Sequence, residues 1–379
     1  MRLQRLWMAM FLLYAAVGAV NPQLPVYMAS RGLSDVEVGL LASISSVVSL
    51  FATFLLSILS DFMARRSDLQ ATLCLVLAAV VLAYIPASSF LSFLYIHPVY
   101  VALAFTSMSL SAAVAMDFIG GRRGASFGAM RTSGAAGWVV GTLAGGLLKQ
   151  YLSTIYTFLF SAIVFVSSAL LYGPGLPKMT RNIKSPGSLQ LSALRRGGVL
   201  AVMMALLTAS VANPAYYTFL PLYIVKELKA PDLLASVAFS VTPFAEIPAM
   251  VFLGSLSDRF GRRKVMTLCL AAYPLRFALT GLLREPALVI AVQLLHGLTF
   301  GGLYVVATAY LTETLIDAKG VAASLYPIAS NLGGMIGGYL LGVLLSKQGF
   351  STMYLTAAAI SFFSIPLLYA YRPPGEALK

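Results

Sequence analysis

Twelve apolar runs, each about as long as a bilayer is thick, constrain this chain more than any other feature. A spanning helix takes about 20 mostly apolar residues. Runs of that kind fall roughly at 7–28, 36–60, 69–89, 91–116, 125–148, 153–173, 197–224, 233–256, 265–283, 287–312, 321–345 and 350–371. Lipid offers no partner to a backbone N–H or C=O, so segments of this length read as helices that satisfy their own backbone. Only 10% of the 379 residues are charged and 59% are hydrophobic, whereas an ordinary soluble domain carries about 25% charge. The expectation is an all-α membrane protein with twelve transmembrane helices. The first run follows Arg2 and Arg5 as a signal peptide would, but it is too long and lacks a small-residue cleavage site.

The net charge of +13 would suggest nucleic acid as a partner in a soluble chain. Here the basic residues lie between apolar runs, so no nucleic-acid partner is expected and the charge reads as topology. The longest polar stretch, 174–196, is rich in Pro, Ser, Lys and Arg. It reads as a cytoplasmic linker between an N-terminal six-helix bundle, 1–173, and a C-terminal one, 197–379. With both termini in the cytoplasm, eighteen Lys and Arg residues fall on the cytoplasmic side, six outside and two within spans. That bias is the positive-inside pattern. It predicts a multi-pass protein of the cell membrane with both termini cytoplasmic.

The two halves repeat at an offset of about 196 residues. Pro25 and Tyr27 match Pro221 and Tyr223. Asp61 matches Asp258, one residue out of step. Gly124, Gly137 and Gly141 match Gly320, Gly333 and Gly337. Asn21-Pro22 and Asn213-Pro214 pair with a four-residue slip. Parallel six-span repeats with a site near the midplane are a transporter architecture. Proline frees a carbonyl within a helix, so spans 1 and 7 are expected to line the pathway. Asn21, Gln23, Asn213 and Tyr217 are candidate substrate contacts there, as is Asn331 in span 11. The recurring glycines of spans 5 and 11 read as sites of close helix approach. Cys74 and Cys269 sit inside apolar runs and read as packing residues.

The stretch GSLSDRFGRRK, Gly254 to Lys264, links spans 8 and 9. It resembles the signature loop of the major facilitator superfamily. Gly254, Asp258, Arg259, Gly261, Arg262 and Arg263 carry the likeness; the first half keeps Asp61, Arg65 and Arg66 in a degraded copy. A tight turn at Gly261 and a carboxylate among fixed cations can make charged bonds in one conformation and release them in another. These residues are the expected cytoplasmic gate. The resemblance implies two pseudo-symmetric six-helix bundles working by alternating access.

Ionisable groups inside spans are functional candidates by default. Glu246 lies twelve residues before Asp258, which at 1.5 Å per residue is about 18 Å into the membrane. Arg276 lies twelve residues after Lys264, and His296 about nine residues into the next span. Three consecutive spans thus deliver a carboxylate, a guanidinium and an imidazole to one level. Burial pushes a carboxylate toward the neutral form and a nearby cation toward the charged form. That tension makes Glu246 the expected proton site, with His296 and Arg276 in the coupling group. In span 5, Trp138 follows Arg131 by seven residues, two turns along one face. Guanidinium and indole together suit a polyhydroxy or aromatic ligand.

Within the superfamily the chain is similar to the branch holding lactose permease, the phenylpropionate transporter and nucleoside–proton symporters. FGAMRTSGAAGW resembles the permease's sugar-binding segment and carries Arg131 and Trp138. FAEIP, PLRF and VQLLHG carry Glu246, Arg276 and His296 onto its substrate and proton-coupling Glu, Arg and His. A second permease glutamate is Thr299 here, and its Asp–Lys pair is Asn213 and Gln293. Gln293 therefore joins the candidate substrate contacts. The expected function is secondary active transport of a small organic solute, by proton symport. An exporter of amphiphiles, a uniporter and a non-transporting solute sensor are the alternatives. No enzymatic activity, cofactor or metal is expected, and the partners expected are a small-molecule substrate, protons and lipid around a monomer.

Overall fold

The computed structural model describes residues 2–63, 65–118, 123–173, 198–316 and 319–370. The linker 174–196 lies outside the described residues, as do the side chains of Asp61 and Arg131. Among the described residues twelve helices form the spans: α1 (Leu3–Ser30), α2 (Asp35–Phe62), α3 (Arg66–Ala83), α4 (Phe90–Phe118), α5 (Arg123–Tyr151), α6 (Thr154–Tyr172), α7 (Val199–Glu227), α8 (Asp232–Phe260), α9 (Arg262–Leu282), α10 (Pro286–Thr314), α11 (319–348) and α12 (350–368). Among the described residues, ten segments are long and apolar enough to span. The last of them holds both α11 and α12, which are separated only by Gly349 at φ 80 and ψ 174. That backbone conformation is one that L side chains rarely adopt. The remaining helix is α5, whose glycines and polar residues lower its hydropathy.

Helix ends follow local chemistry. Ser34 and Glu37 form a reciprocal capping box at the start of α2. Arg5 closes the end of α6, donating from Nε to the Leu171 carbonyl at 2.8 Å and from Nη2 to Leu170 at 2.9 Å. The third span stops at Ala83, short of the expected 89, because Tyr84 to Ser89 turn before Ser89 and Ser92 cap α4 by mutual hydrogen bonds. Prolines break α1 and α7: a 3-10 turn, Asn21–Gln23, interrupts the first, and the second is pieced from short helices between Asn213 and Glu227.

The chain divides into two compact units. The first takes Met1–Ile183 and Tyr217–Pro243; the second takes Lys184–Tyr216 and Phe244–Lys379. Each is built on the same helix contact. In the first, a Cβ on Gly137 would strike the carbonyl of Phe11, and one on Gly141 that of Ala15, so α5 lies directly on the α1 backbone. In the second, Gly333 meets Leu207 and Gly337 meets Val211, seating α11 on α7. All four residues of the second set lie 196 positions after their counterparts. The sequence repeat is therefore a repeat of contacts as well as of residues. Cys74 and Cys269 are buried free thiols.

Candidate functional site

The second unit concentrates its buried polar groups where α8 crosses α10. Gly297 and Gly301, four residues apart, share one face of α10. A Cβ at Gly297 would come within 2.6 Å of the Ala245 carbonyl, and one at Gly301 within 3.1 Å of the Glu246 carbonyl. Small residues let the two backbones touch at this level. Just before the crossing α10 tightens to a 3-10 turn at Gln293–Leu295, then widens to a π segment at Gly297–Gly302. Three residues per 3-10 turn bring i and i+3 into line. Gln293 and His296 consequently face the same partner.

That partner is Arg276 of α9, only 2% exposed. Its Nε and Nη2 donate to Gln293 Oε1 at 3.1 and 2.8 Å. Nη1 donates to Thr299 Oγ1 at 3.1 Å and reaches His296 Nδ1 at 2.7 Å. The guanidinium lies 4.4 Å above the ring of Tyr216, an arrangement that favours the cation. Gln293 is held in turn, its amide donating to Thr280 Oγ1 and the Val289 carbonyl.

A guanidinium only donates, so His296 Nδ1 accepts, and the hydrogen of a neutral ring belongs on Nε2. Nε2 stands 3.3 Å from Glu246 Oε1, so that hydrogen is on the side of the carboxylate. The imidazole is packed between Tyr216, at 4.6 Å between centroids, and Phe300, stacked at 5.3 Å. The three groups that sequence depth places at one level thus form a chain: carboxylate, imidazole, guanidinium. His296 thus stands between the Glu246 carboxylate and the Arg276 guanidinium.

The first unit holds a second group. Trp138 Nε1 donates to the Phe239 carbonyl at 3.2 Å. Gln23 Nε2 donates to Ser236 Oγ at 2.6 Å. Tyr100 OH donates to Asn21 Oδ1 at 3.0 Å. Nearby, the ion pairs Lys149–Asp232 (2.8 Å) and Lys226–Asp35 (3.2 Å) join Tyr217–Pro243 to α5 and α2. Asn213 and Asn331 lie elsewhere in the second unit: Asn213 donates to Ser330 at 3.4 Å, and Asn331 to the Pro327 carbonyl of its own helix. Tyr217 belongs to the first unit.

The signature loop turns at Gly261, φ 93, where only glycine is unstrained. Arg262 pairs with Asp258 at 2.6 Å and with Glu313 at 2.7 Å, tying the loop to the end of α10. Arg263 sits over the Tyr310 ring, Gly254 accepts from Ser257, and Arg65 pairs with Asp68 at 3.9 Å. Arg66 lines a cavity of about 160 Å³ with Ser60, Thr106 and Ser109. Glu313, Phe300 and Ser236 escape sequence reasoning. The Gly297-x-x-x-Gly301 spacing is a signal that could have located the α8–α10 crossing.

Twelve helices, a helix-pair contact repeated in the two units and a cluster of polar groups around Arg276 match the architecture of a membrane transporter. The chain belongs to the MFS_1-like family, whose profile matches residues 3–356. It is similar to sugar efflux transporter A of Dickeya chrysanthemi, 27% identical over 85% of this chain and 83% of that protein. It is also similar to sugar efflux transporter A of Escherichia coli strain K12, 24% identical over 94% and 92%. The multidrug resistance protein MdtG of Salmonella choleraesuis matches at 24% over 94% and 92%. Among solved structures, the nucleoside transporter NupG superposes with TM-score 0.77 over 98% of this chain and 100% of that one, at 15% identity. A bacterial homologue of the lysosomal transporter Spinster superposes with TM-score 0.76 over 97% and 95%, at 13% identity. The structural likenesses establish the fold.

Proposed function

We propose that this transporter moves a sugar-sized, hydroxyl-bearing solute coupled to protons, with Glu246 as the group that takes and gives the proton. The observation that carries the reading is the Glu246–His296–Arg276 chain within the second unit, with His296 and Arg276 buried and Glu246 partly exposed. A carboxylate so placed changes affinity for a proton whenever its distance from the cation or from water changes. His296 holds its donor on Glu246 and acts as a positioning residue, and Arg276 supplies the opposing charge. The relatives named as sugar efflux transporters support the solute class, as do the indole and amide donors of Trp138 and Gln23. Arg131, on the same helix as Trp138, belongs to this reading from its sequence position.

Symport is the first reading. Proton-driven export is the second, favoured by the names of those same relatives. In both, the chain is a monomer in the plasma membrane with cytoplasmic termini, two six-helix bundles and the linker 174–196 between them. The signature loop, together with its degraded copy at Asp61, Arg65 and Arg66, opens and closes the cytoplasmic side. The experiment is flux of a radiolabelled sugar panel in proteoliposomes under pH gradients of each sign. Glu246→Gln is expected to abolish the gradient-driven component and spare exchange at equal pH. Undiminished gradient-driven flux in that variant overturns the proton assignment.

A further inference from the structure

We propose that Ser236 and the Phe239 carbonyl are built-in stand-ins for substrate hydroxyls. They hold the N–H donors of Gln23 and Trp138 while Tyr217–Pro243 is packed on α1 and α5, and a solute with adjacent hydroxyl groups takes their place when that segment moves away. The inference rests on the reading that the transported solute bears hydroxyls.

Three observations within the first unit carry it. Gln23 is fully buried. Its Nε2 is bonded to Ser236 Oγ, but its Oε1 is a buried acceptor without a hydrogen-bond partner. Buried amide groups are ordinarily satisfied at both ends. The unmet half defines the missing ligand. A carboxamide that gives one hydrogen and needs one back matches two neighbouring hydroxyls, one accepting from Nε2 and the other donating to Oε1. Ser236 has one hydroxyl and serves only the first. A vicinal diol, as on a sugar ring, serves both.

The second observation is the Trp138 bond to the Phe239 carbonyl at 3.2 Å. Residues 236 and 239 are three apart and share a face of α8. One helix face therefore occupies both donors at once.

The third is how closely that face is seated. Gly146 of α5 meets Ser236 so closely that a Cβ would lie 2.6 Å from its Oγ. Lys149, three residues on, pairs with Asp232, one turn before Ser236. Asp232, Ser236 and Phe239 thus run along α8 against Lys149, Gly146 and Trp138 of α5. The ion pair and the glycine fix the register in which Ser236 reaches Gln23.

The test has two arms, both on the full chain in nanodiscs. Spin labels at Leu152→Cys and Lys229→Cys, exposed positions on α5's outer side and beyond α7, report the spacing by double electron–electron resonance. Gln23→Met with Trp138→Phe keeps shape and removes both donors. A longer-distance population is expected to grow several-fold in that variant; an unchanged distribution overturns the proposal. In the second arm, methyl β-D-glucoside is the probe. Ser236→Ala frees the amide and is expected to bind it about two- to tenfold more tightly, the worth of one neutral hydrogen bond. Equal binding by both proteins, or binding by neither, overturns the proposal. Loss of proton coupling is read separately in the flux assay, so either reading can fail while the other stands.

Discussion

Arg276 Nη1 lies 2.7 Å from His296 Nδ1, and that contact decides which side of the imidazole carries the hydrogen. The Nε2–H then points at Glu246. With ¹⁵N-histidine labelling, the His296 signals are expected to be those of a bare Nδ1 and a protonated Nε2. The opposite tautomer would count against the chain of three groups. In Arg276→Met the preference should disappear.

Gln293 accepts two bonds from Arg276 and is itself held by Thr280 and Val289. Gln293→Leu leaves a buried guanidinium short of an acceptor. The expected cost is about 1–3 kcal/mol, seen as a lower unfolding temperature in detergent. An unchanged temperature would mean that another group takes over the acceptor role.

Gly297 permits the contact of α10 with the Ala245 carbonyl. Gly297→Ala must push α8 away, and overpacking of this kind typically costs about 1–3 kcal/mol. The protein should still fold, but gradient-driven flux should fall to a tenth or less, because His296 and Glu246 separate. Full activity in the alanine variant would show that the close approach is dispensable.

Arg262 pairs with two carboxylates at the loop, and Glu313 is 58% exposed. Exposed pairs contribute about 0–1 kcal/mol and are screened by salt. Glu313→Gln is accordingly expected to change stability by less than about 1 kcal/mol, while altering the transport rate in a salt-dependent way. A rate equal to that of the unmodified protein at low salt would remove Glu313 from the gate.

Much of the architecture is legible because lipid leaves so few choices. Twelve apolar runs give twelve helices, and the fixed rise per residue places Glu246, Arg276 and His296 at one depth before any contact is known. The repeat too is legible at Gly137, Gly141, Gly333 and Gly337, since glycine marks backbone contact. What escapes depends on rotation and pairing. No local pattern shows that α10 tightens and then widens around His296, which is what aligns Gln293 with Arg276. Nothing in the run near Ser236 distinguishes its hydroxyl from that of any other membrane serine. Glu313 escapes because its partner Arg262 lies 51 residues away. The end of α3 is misjudged because apolarity continues past Ala83 while the backbone already turns.

Phe11 and Ala15 meet Gly137 and Gly141 wholly within 1–173, and Leu207 and Val211 meet Gly333 and Gly337 wholly within 197–379. Neither set needs a continuous chain through the linker. Two polypeptides divided there, made together in one cell, each keep their central helix pair and are expected to reassemble into a working carrier.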